Sequence, residues 1–195
     1  DPRAPATARA ALVLSAHPFA DLLATPGVVE ESELRGRIGF MAYHGGGLEE
    51  ATDVIARAAA SASGASYYGV VQPESLQRHV PSTRVTRDQS QVLDEFLAHV
   101  DVAITIHGFG RRPLFTSLLL GGRNRELAAH VAGHLRPALP AYTIIDELDR
   151  IPTELQGVHA RNPVNVPTGA GVQIELPPRV RGASPLWWDW EHGLV

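Results

Sequence analysis

The stretch Arg37-Ile38-Gly39-Phe40-Met41-Ala42-Tyr43-His44-Gly45-Gly46-Gly47-Leu48-Glu49 decides how the chain folds. Arg37 to Tyr43 is an apolar run of strand length, a glycine run turns the chain, and an Ala-rich helical pattern follows from Glu49 to Ala62. Four further apolar runs read as strands: Ser66 to Val71, Val102 to Ile106, Tyr142 to Ile145 and Val172 to Leu176. Between them, Gln89 to His99 reads as a helix preceded by Thr86, which with Gln89 has capping-box spacing. Asn124 to Leu135 reads as another, with Leu127, Val131 and Leu135 on one stripe and Pro137 as its stop. Strands alternating with helices predict an α/β layered fold with a largely parallel or mixed sheet.

The chain's 195 residues suit one domain, with residues 1–9 a loose N-terminal segment and 10–195 a single catalytic domain. An apolar content of 44% against 19% charged residues fits a packed globule. A formal charge of -4 supplies no basic face for nucleic acid, and no apolar run is long enough to span a membrane. The run from Ala10 to Ala16 is too short for a signal peptide, and the compartment stays open. With 0 cysteines there is no disulfide and no thiolate ligand or nucleophile, so any metal must be held by His, Asp or Glu. All 17 basic residues are Arg, which makes surface arginine the default reading of most of them.

The residues that carry chemistry collect at strand ends. His44 follows the first expected strand, His107 the third, and Glu175 lies near the end of the fifth, where ligands gather in open α/β sheets. The glycines after His44 let the chain turn so that an imidazole and the Glu49 carboxylate can aim at one point. The plainer reading is a tight loop with Glu49 favouring a helix N-terminus. His107, in Ile106-His107-Gly108, read alone is a hydrogen-bonded structural histidine. With His44 and Glu49 it completes a two-histidine, one-carboxylate zinc site of the catalytic kind. In Val172-Gln173-Ile174-Glu175, Glu175 shares a face with Gln173 if Val172 and Ile174 turn to the core. It is then placed as general base for water, the other reading being an exposed edge-strand acid. His-Gly-Gly-Gly also occurs as an oxyanion segment of esterases, but the chain has no G-x-S-x-G nucleophile elbow.

Other residues are secondary. His79 lies in an expected loop at the same sheet edge, suited to substrate contact or oxyanion stabilisation. His130 and His134 have metal-binding spacing on a helix but no accompanying Glu, and are expected to bind none. Arg111, Arg123 and Arg161 flank the site and could grip substrate carboxylates. Trp187, Trp188 and Trp190 are expected to form a C-terminal lid or an association surface.

Taken together, His44-Gly45-Gly46-Gly47-x-Glu49, the Ile106-His107-Gly108 strand end, Gly121-Gly122-Arg123, Asn162 with Asn165, and Gly171-Val172-Gln173-x-Glu175 resemble the poly-γ-glutamate hydrolases. The likeness covers roughly Gly39 to Arg181. It implies a fold similar to the zinc carboxypeptidases: a single domain with a mixed central sheet, helices on both faces and one zinc ion at the strand ends. It implies His44, Glu49 and His107 as zinc ligands, Glu175 as the catalytic glutamate and Asn165 among the substrate-binding residues. The implied partner is an acidic γ-linked peptide or polymer. A related zinc peptidase or amidase with another substrate, or a non-catalytic domain binding acidic polymers, are the competing readings.

Overall fold

In this structure, a computed structural model, residues 15–182 are described. The expected N-terminal segment of residues 1–9 and the tryptophans Trp187, Trp188 and Trp190 lie outside them. The described residues form one mixed sheet of 7 strands in the order β1-β3-β2-β4-β7-β5-β6. The strands are β1 Val29–Glu33, β2 Ile38–Gly46, β3 Ser66–Gln72, β4 Val102–Gly108, β5 Ser117–Gly121, β6 Thr143–Ile145 and β7 Gly171–Leu176. The centre, β3-β2-β4-β7, is parallel, while β1 joins β3 and β5 joins β7 antiparallel.

Helices cover both faces. On one, α2 (Thr52–Ser63) and α4 (Arg125–Ala138) bury Ala56, Ala60, Ala128 and Ala132 against Ile104, Ile106, Val172 and Ile174. Alanine lets these helices approach the sheet closely, and Leu127, Val131 and Leu135 pack at the margin. On the other face, α1 (Pro18–Leu23) and α3 (Gln91–His99) bring Phe19, Leu22, Leu93 and Phe96 against Met41, Tyr43, Tyr68 and Val70. The expected layered α/β domain with a mixed sheet is therefore the observed one.

Several boundaries differ from the sequence reading, each for a local reason. β2 continues through His44 to Gly46 because a bulge between Ala42 and Gly45 lets the glycines keep pairing with β3. α2 starts at Thr52, so Glu49 lies in the turn before it. α3 is capped by Ser90, whose Oγ accepts from Leu93 N at 3.0 Å. Gln89 still donates to Thr86 Oγ1 at 2.7 Å, but its Oε1 accepts the amides of Phe19 and Ala20 at the start of α1. Pro137 does not stop α4; it sits in the last turn, one residue before the end. Two strands go beyond the sequence reading. β1 is a Glu-rich edge strand with little apolar signal, and Leu118 to Leu120 of β5 is an apolar run too short to distinguish strand from helix.

The topology also makes a crevice. From β2 the chain passes through α2 to β3 on one side, then through α3 to β4 on the opposite side of β2. That reversal between β2 and β4 is a topological switch point. β4 stays paired with β7 to Gly108, whereas β2 pairs with β4 only from Ile38 to Met41. Beyond Met41 the two strands part at their carboxyl ends, with His44 on one lip and His107 on the other.

Candidate metal centre

The turn after β2 is built to return Glu49 toward its own strand. Gly46 has φ +65, and a Cβ there would collide with the Gln72 carbonyl. Glu49 N donates to the His44 carbonyl at 2.9 Å, closing the turn. The Glu49 carboxylate then lies between the two lips, with Oε1 2.9 Å from His44 Nδ1 and Oε2 3.3 Å from His107 Nδ1. Gly108 N donates to Glu49 Oε2 at 2.9 Å. One ligand atom from each of His44, Glu49 and His107 lies within 4.8 Å of the others.

Hydrogen bonding at the far side of each ring fits this set to a metal ion. His44 Nε2 is 2.8 Å from the Val80 carbonyl, which can only accept, so Nε2 carries the hydrogen and Nδ1 of the neutral ring presents a lone pair. His107 Nε2 is 3.0 Å from the Tyr43 hydroxyl, which is itself 3.2 Å from Asn162 Oδ1. Tyr43 donates to that oxygen and accepts from His107, leaving a second Nδ1 lone pair toward Glu49. Two lone pairs and a carboxylate converging in a buried site require positive charge between them, and this donor set suits zinc.

Protons on the imidazoles can supply such charge as well as a metal ion can. Burial favours neutral Glu49, but the facing imidazoles of His44 and His107 hold its carboxyl well below the usual range. Burial opposes protonation of His107, yet Glu49 outweighs it and raises the imidazole. Glu175 differs: burial pushes its carboxyl up, against the pull of His107.

Glu175 is the register partner of His107 across β4 and β7, so their side chains lie side by side on one face. As expected, Gln173 shares that face, and its Nε2 donates to Glu175 Oε1 at 2.8 Å, while Val172 and Ile174 enter the opposite core. Glu175 is buried rather than exposed on an edge, and β7 is interior to the sheet. The three candidate ligands and Glu175 all line one cavity of about 650 Å³.

The secondary residues separate. His79 lines the cavity with its ring 4.8 Å from that of His44. Arg111 does not line the cavity itself, but its guanidinium pairs with Glu154, which does. Arg123 and Arg161 do not line the cavity, nor does Asn165, whose side chain ties Arg123 N, Gly157 O and His159 O together. His130 and His134 contact each other on α4, away from the cavity. Sequence reasoning leaves out Tyr43 and Arg181 and gives Asn162 and His159 no role of their own. His159 and Asn162 line the cavity, and the half-buried Arg181 packs against Gly108 and donates to the Leu176 and Glu50 carbonyls at 3.2 and 2.6 Å. Tyr43 resembles any core tyrosine in the sequence, and the loop residues have no periodicity to mark them.

Fold and site define a class: a mixed α/β domain with a two-histidine, one-glutamate candidate metal centre at a switch point. Residues 21–184 match the poly-gamma-glutamate hydrolase family, and the chain belongs to that family. The SPbeta prophage-derived protein YoqZ of Bacillus subtilis (strain 168) is 32% identical over 142 residues, 72% of this chain and 48% of that protein. The chain thus spans about half the length of the curated relative it matches. Among solved structures, a bacteriophage poly-gamma-glutamate hydrolase matches with a TM-score of 0.65 at 22% identity, over 80% of this chain and 72% of that one. The zinc-free apo form of YNDL matches with a TM-score of 0.67 at 20% identity, over 86% and 87%. Both share the fold.

Proposed function

We propose that the chain is a zinc-dependent hydrolase that cleaves γ-glutamyl amide bonds of poly-γ-glutamate or a similar acidic peptide, with Glu175 as general acid/base. The observation that carries this reading is the convergence of His44 Nδ1, Glu49 and His107 Nδ1 beside Glu175 in one cavity. The family, and the fold shared with the zinc-free form of YNDL, support it. His44, Glu49 and His107 would hold one zinc ion, which when bound acts as a Lewis acid toward the scissile carbonyl and acidifies water.

The chain's own groups do the rest. Gln173 donates to Glu175 Oε1, and Oε2 is the oxygen that would take the proton of the attacking water. Glu175 takes a proton from that water and returns it to the amine nitrogen as the C–N bond breaks. Its raised pKa suits both halves of the transfer, because a carboxyl that holds a proton more firmly is a stronger base. His79 lies where it can donate to the carbonyl oxygen, and burial, helped by nearby His44, lowers its pKa so that it serves as a neutral donor. Arg111 offers a cation for a substrate carboxylate once it exchanges Glu154 for it.

The test measures zinc content and shortening of poly-γ-glutamate in one preparation of wild type and Glu175→Gln. Wild type is expected to carry one zinc per chain and shorten the polymer. The variant is expected to keep its zinc and lose about 10²-fold or more in turnover. Nearly unchanged turnover in Glu175→Gln overturns the assignment of the base, and loss of zinc with activity makes Glu175 a ligand instead.

A further inference from the structure

A run of buried polar side chains joins the candidate metal ligand to the candidate base behind the cavity. His107 Nε2 meets the Tyr43 hydroxyl at 3.0 Å, Tyr43 meets Asn162 Oδ1 at 3.2 Å, Asn162 Nδ2 meets Gln173 Oε1 at 2.7 Å, and Gln173 Nε2 meets Glu175 Oε1 at 2.8 Å. The orientation of both amides is set by the backbone. Asn162 Oδ1 faces the Val164 N–H at 3.2 Å and its Nδ2 faces the Gly157 carbonyl at 3.4 Å, so the two ends cannot be exchanged. Gln173 Nε2 faces the Leu155 carbonyl at 3.3 Å, which fixes Gln173 independently and in the compatible sense. The Tyr43 hydroxyl faces an amide oxygen that can only accept, so its hydrogen goes to Asn162 and its lone pair to His107. Every hydrogen in the run therefore points from His107 toward Glu175, and donors aligned head to tail polarise one another.

We propose that Tyr43, Asn162 and Gln173 are positioning residues forming a one-way hydrogen-bond relay, which fixes the His107 tautomer at one end and the Glu175 carboxylate at the other. The inference rests on the assignment of His107 as ligand and Glu175 as base. The relay keeps a hydrogen on His107 Nε2 and the Nδ1 lone pair toward the metal. At the far end it occupies Oε1 and leaves one oxygen to the water. Metal ligand and base are thereby set by a single pair of amides, one on β7 and one on its facing loop.

Single variants address the two ends separately. Tyr43→Phe removes one oxygen and leaves His107 Nε2–H without its partner. Zinc affinity, read by chelator competition without any turnover, is expected to fall about 10- to 100-fold. Asn162→Asp retains the acceptor for Tyr43 and Val164 but presents oxygen to Gln173 Oε1, forcing Gln173 either to lose a bond or to turn its own oxygen toward Glu175. In zinc-saturated protein, kcat is expected to fall about tenfold or more, with KM and zinc affinity near wild type. Gln173→Leu is expected to do the same. The double variant Asn162→Asp/Gln173→Leu is expected to be no slower than the slower single, because both break one device.

Unchanged kcat in zinc-saturated Asn162→Asp and Gln173→Leu, with only a lowered Tm, overturns the relay and leaves the amides as packing. Multiplying effects in the double variant, or unchanged zinc affinity in Tyr43→Phe, overturn it as well. If Gln173→Leu does not fold, Asn162→Asp and Tyr43→Phe, which keep side-chain volume, decide the matter. Glu175→Gln separates the two proposals. A dead Glu175→Gln beside fully active relay variants sinks the relay alone, whereas an active Glu175→Gln sinks the assignment of the base on which the relay rests.

Discussion

The residue proposed as the base, Glu175, is held at a cost in stability. Burial raises its carboxyl pKa, so the folded chain keeps a proton that the unfolded chain, with an ordinary value of about 4.3, has already released. Folding stability must then fall as pH rises from that ordinary value through the raised one, and the full penalty persists above both. Glu175→Gln abolishes this titration while keeping an acceptor for Gln173 Nε2. In chelator-treated protein the variant is expected to melt above wild type at neutral pH, with the difference closing as pH falls toward about 4. A difference that stays constant across that range would mean that the folded environment does not disfavour the charge. The sequence places Glu175 correctly on the face of Gln173, because alternation along a strand is legible from residue order alone. Its burial depends on β5, which the sequence reading lacks and which pairs with β7 on the side away from β4.

At the scale of elements, the glycine turn after β2 carries the most consequence. The sequence pattern starts a helix at Glu49, but the turn occupies residues before Thr52 and leaves Glu49 free to reach both lips of the crevice. Residue order announces a turn there, whereas its length depends on the bulge that keeps Gly45 and Gly46 paired with β3. Two glycines with nearly equal φ allow the turn's role to be measured. Gly64, φ +69, ends α2 with open space where a side chain would stand, while Gly46, φ +65, lies against the Gln72 backbone. Gly64→Ala is expected to cost about 1 kcal/mol in denaturant unfolding, for left-handed backbone alone. Gly46→Ala carries that strain plus a clash the Gln72 carbonyl must move to relieve, about 3 kcal/mol or more, and should also weaken zinc binding by displacing Glu49. Equal losses of stability and intact zinc affinity in Gly46→Ala would show that the turn does not position the carboxylate. The five expected strands are present because each holds an apolar run of sufficient length, and the helices because their apolar stripes repeat. Residues 153–165 escape for the opposite reason: short 3₁₀ turns follow no periodicity, yet they carry Asn162 and much of the cavity wall.

At the scale of the molecule, the candidate ligands join parts of the chain that the sheet leaves separate. His44 lies on β2, Glu49 in the following turn and His107 on β4, beyond the point at Met41 where those strands stop pairing. A metal ion held there would close the carboxyl-terminal side of the sheet that hydrogen bonding leaves open. Binding to the native state alone raises stability by RT ln(1 + [Zn]/Kd), about 4 kcal/mol at a thousandfold excess over Kd. For a chain of this size, about 1 kcal/mol moves Tm by roughly 2–4 °C, so saturation is expected to raise Tm by about 10 °C over chelator-treated protein. The increment should keep growing with zinc concentration beyond saturation, since the coupling is logarithmic. His107→Ala removes a ligand from β4 and should abolish most of the increment. His130 and His134, which contact each other on α4 and belong to no group of three possible ligands among the described residues, should leave it intact when both become Ala. A zinc-independent Tm, or an increment that survives His107→Ala but disappears with the α4 pair, would place the metal on the wrong histidines and remove the basis for the site between β2 and β4.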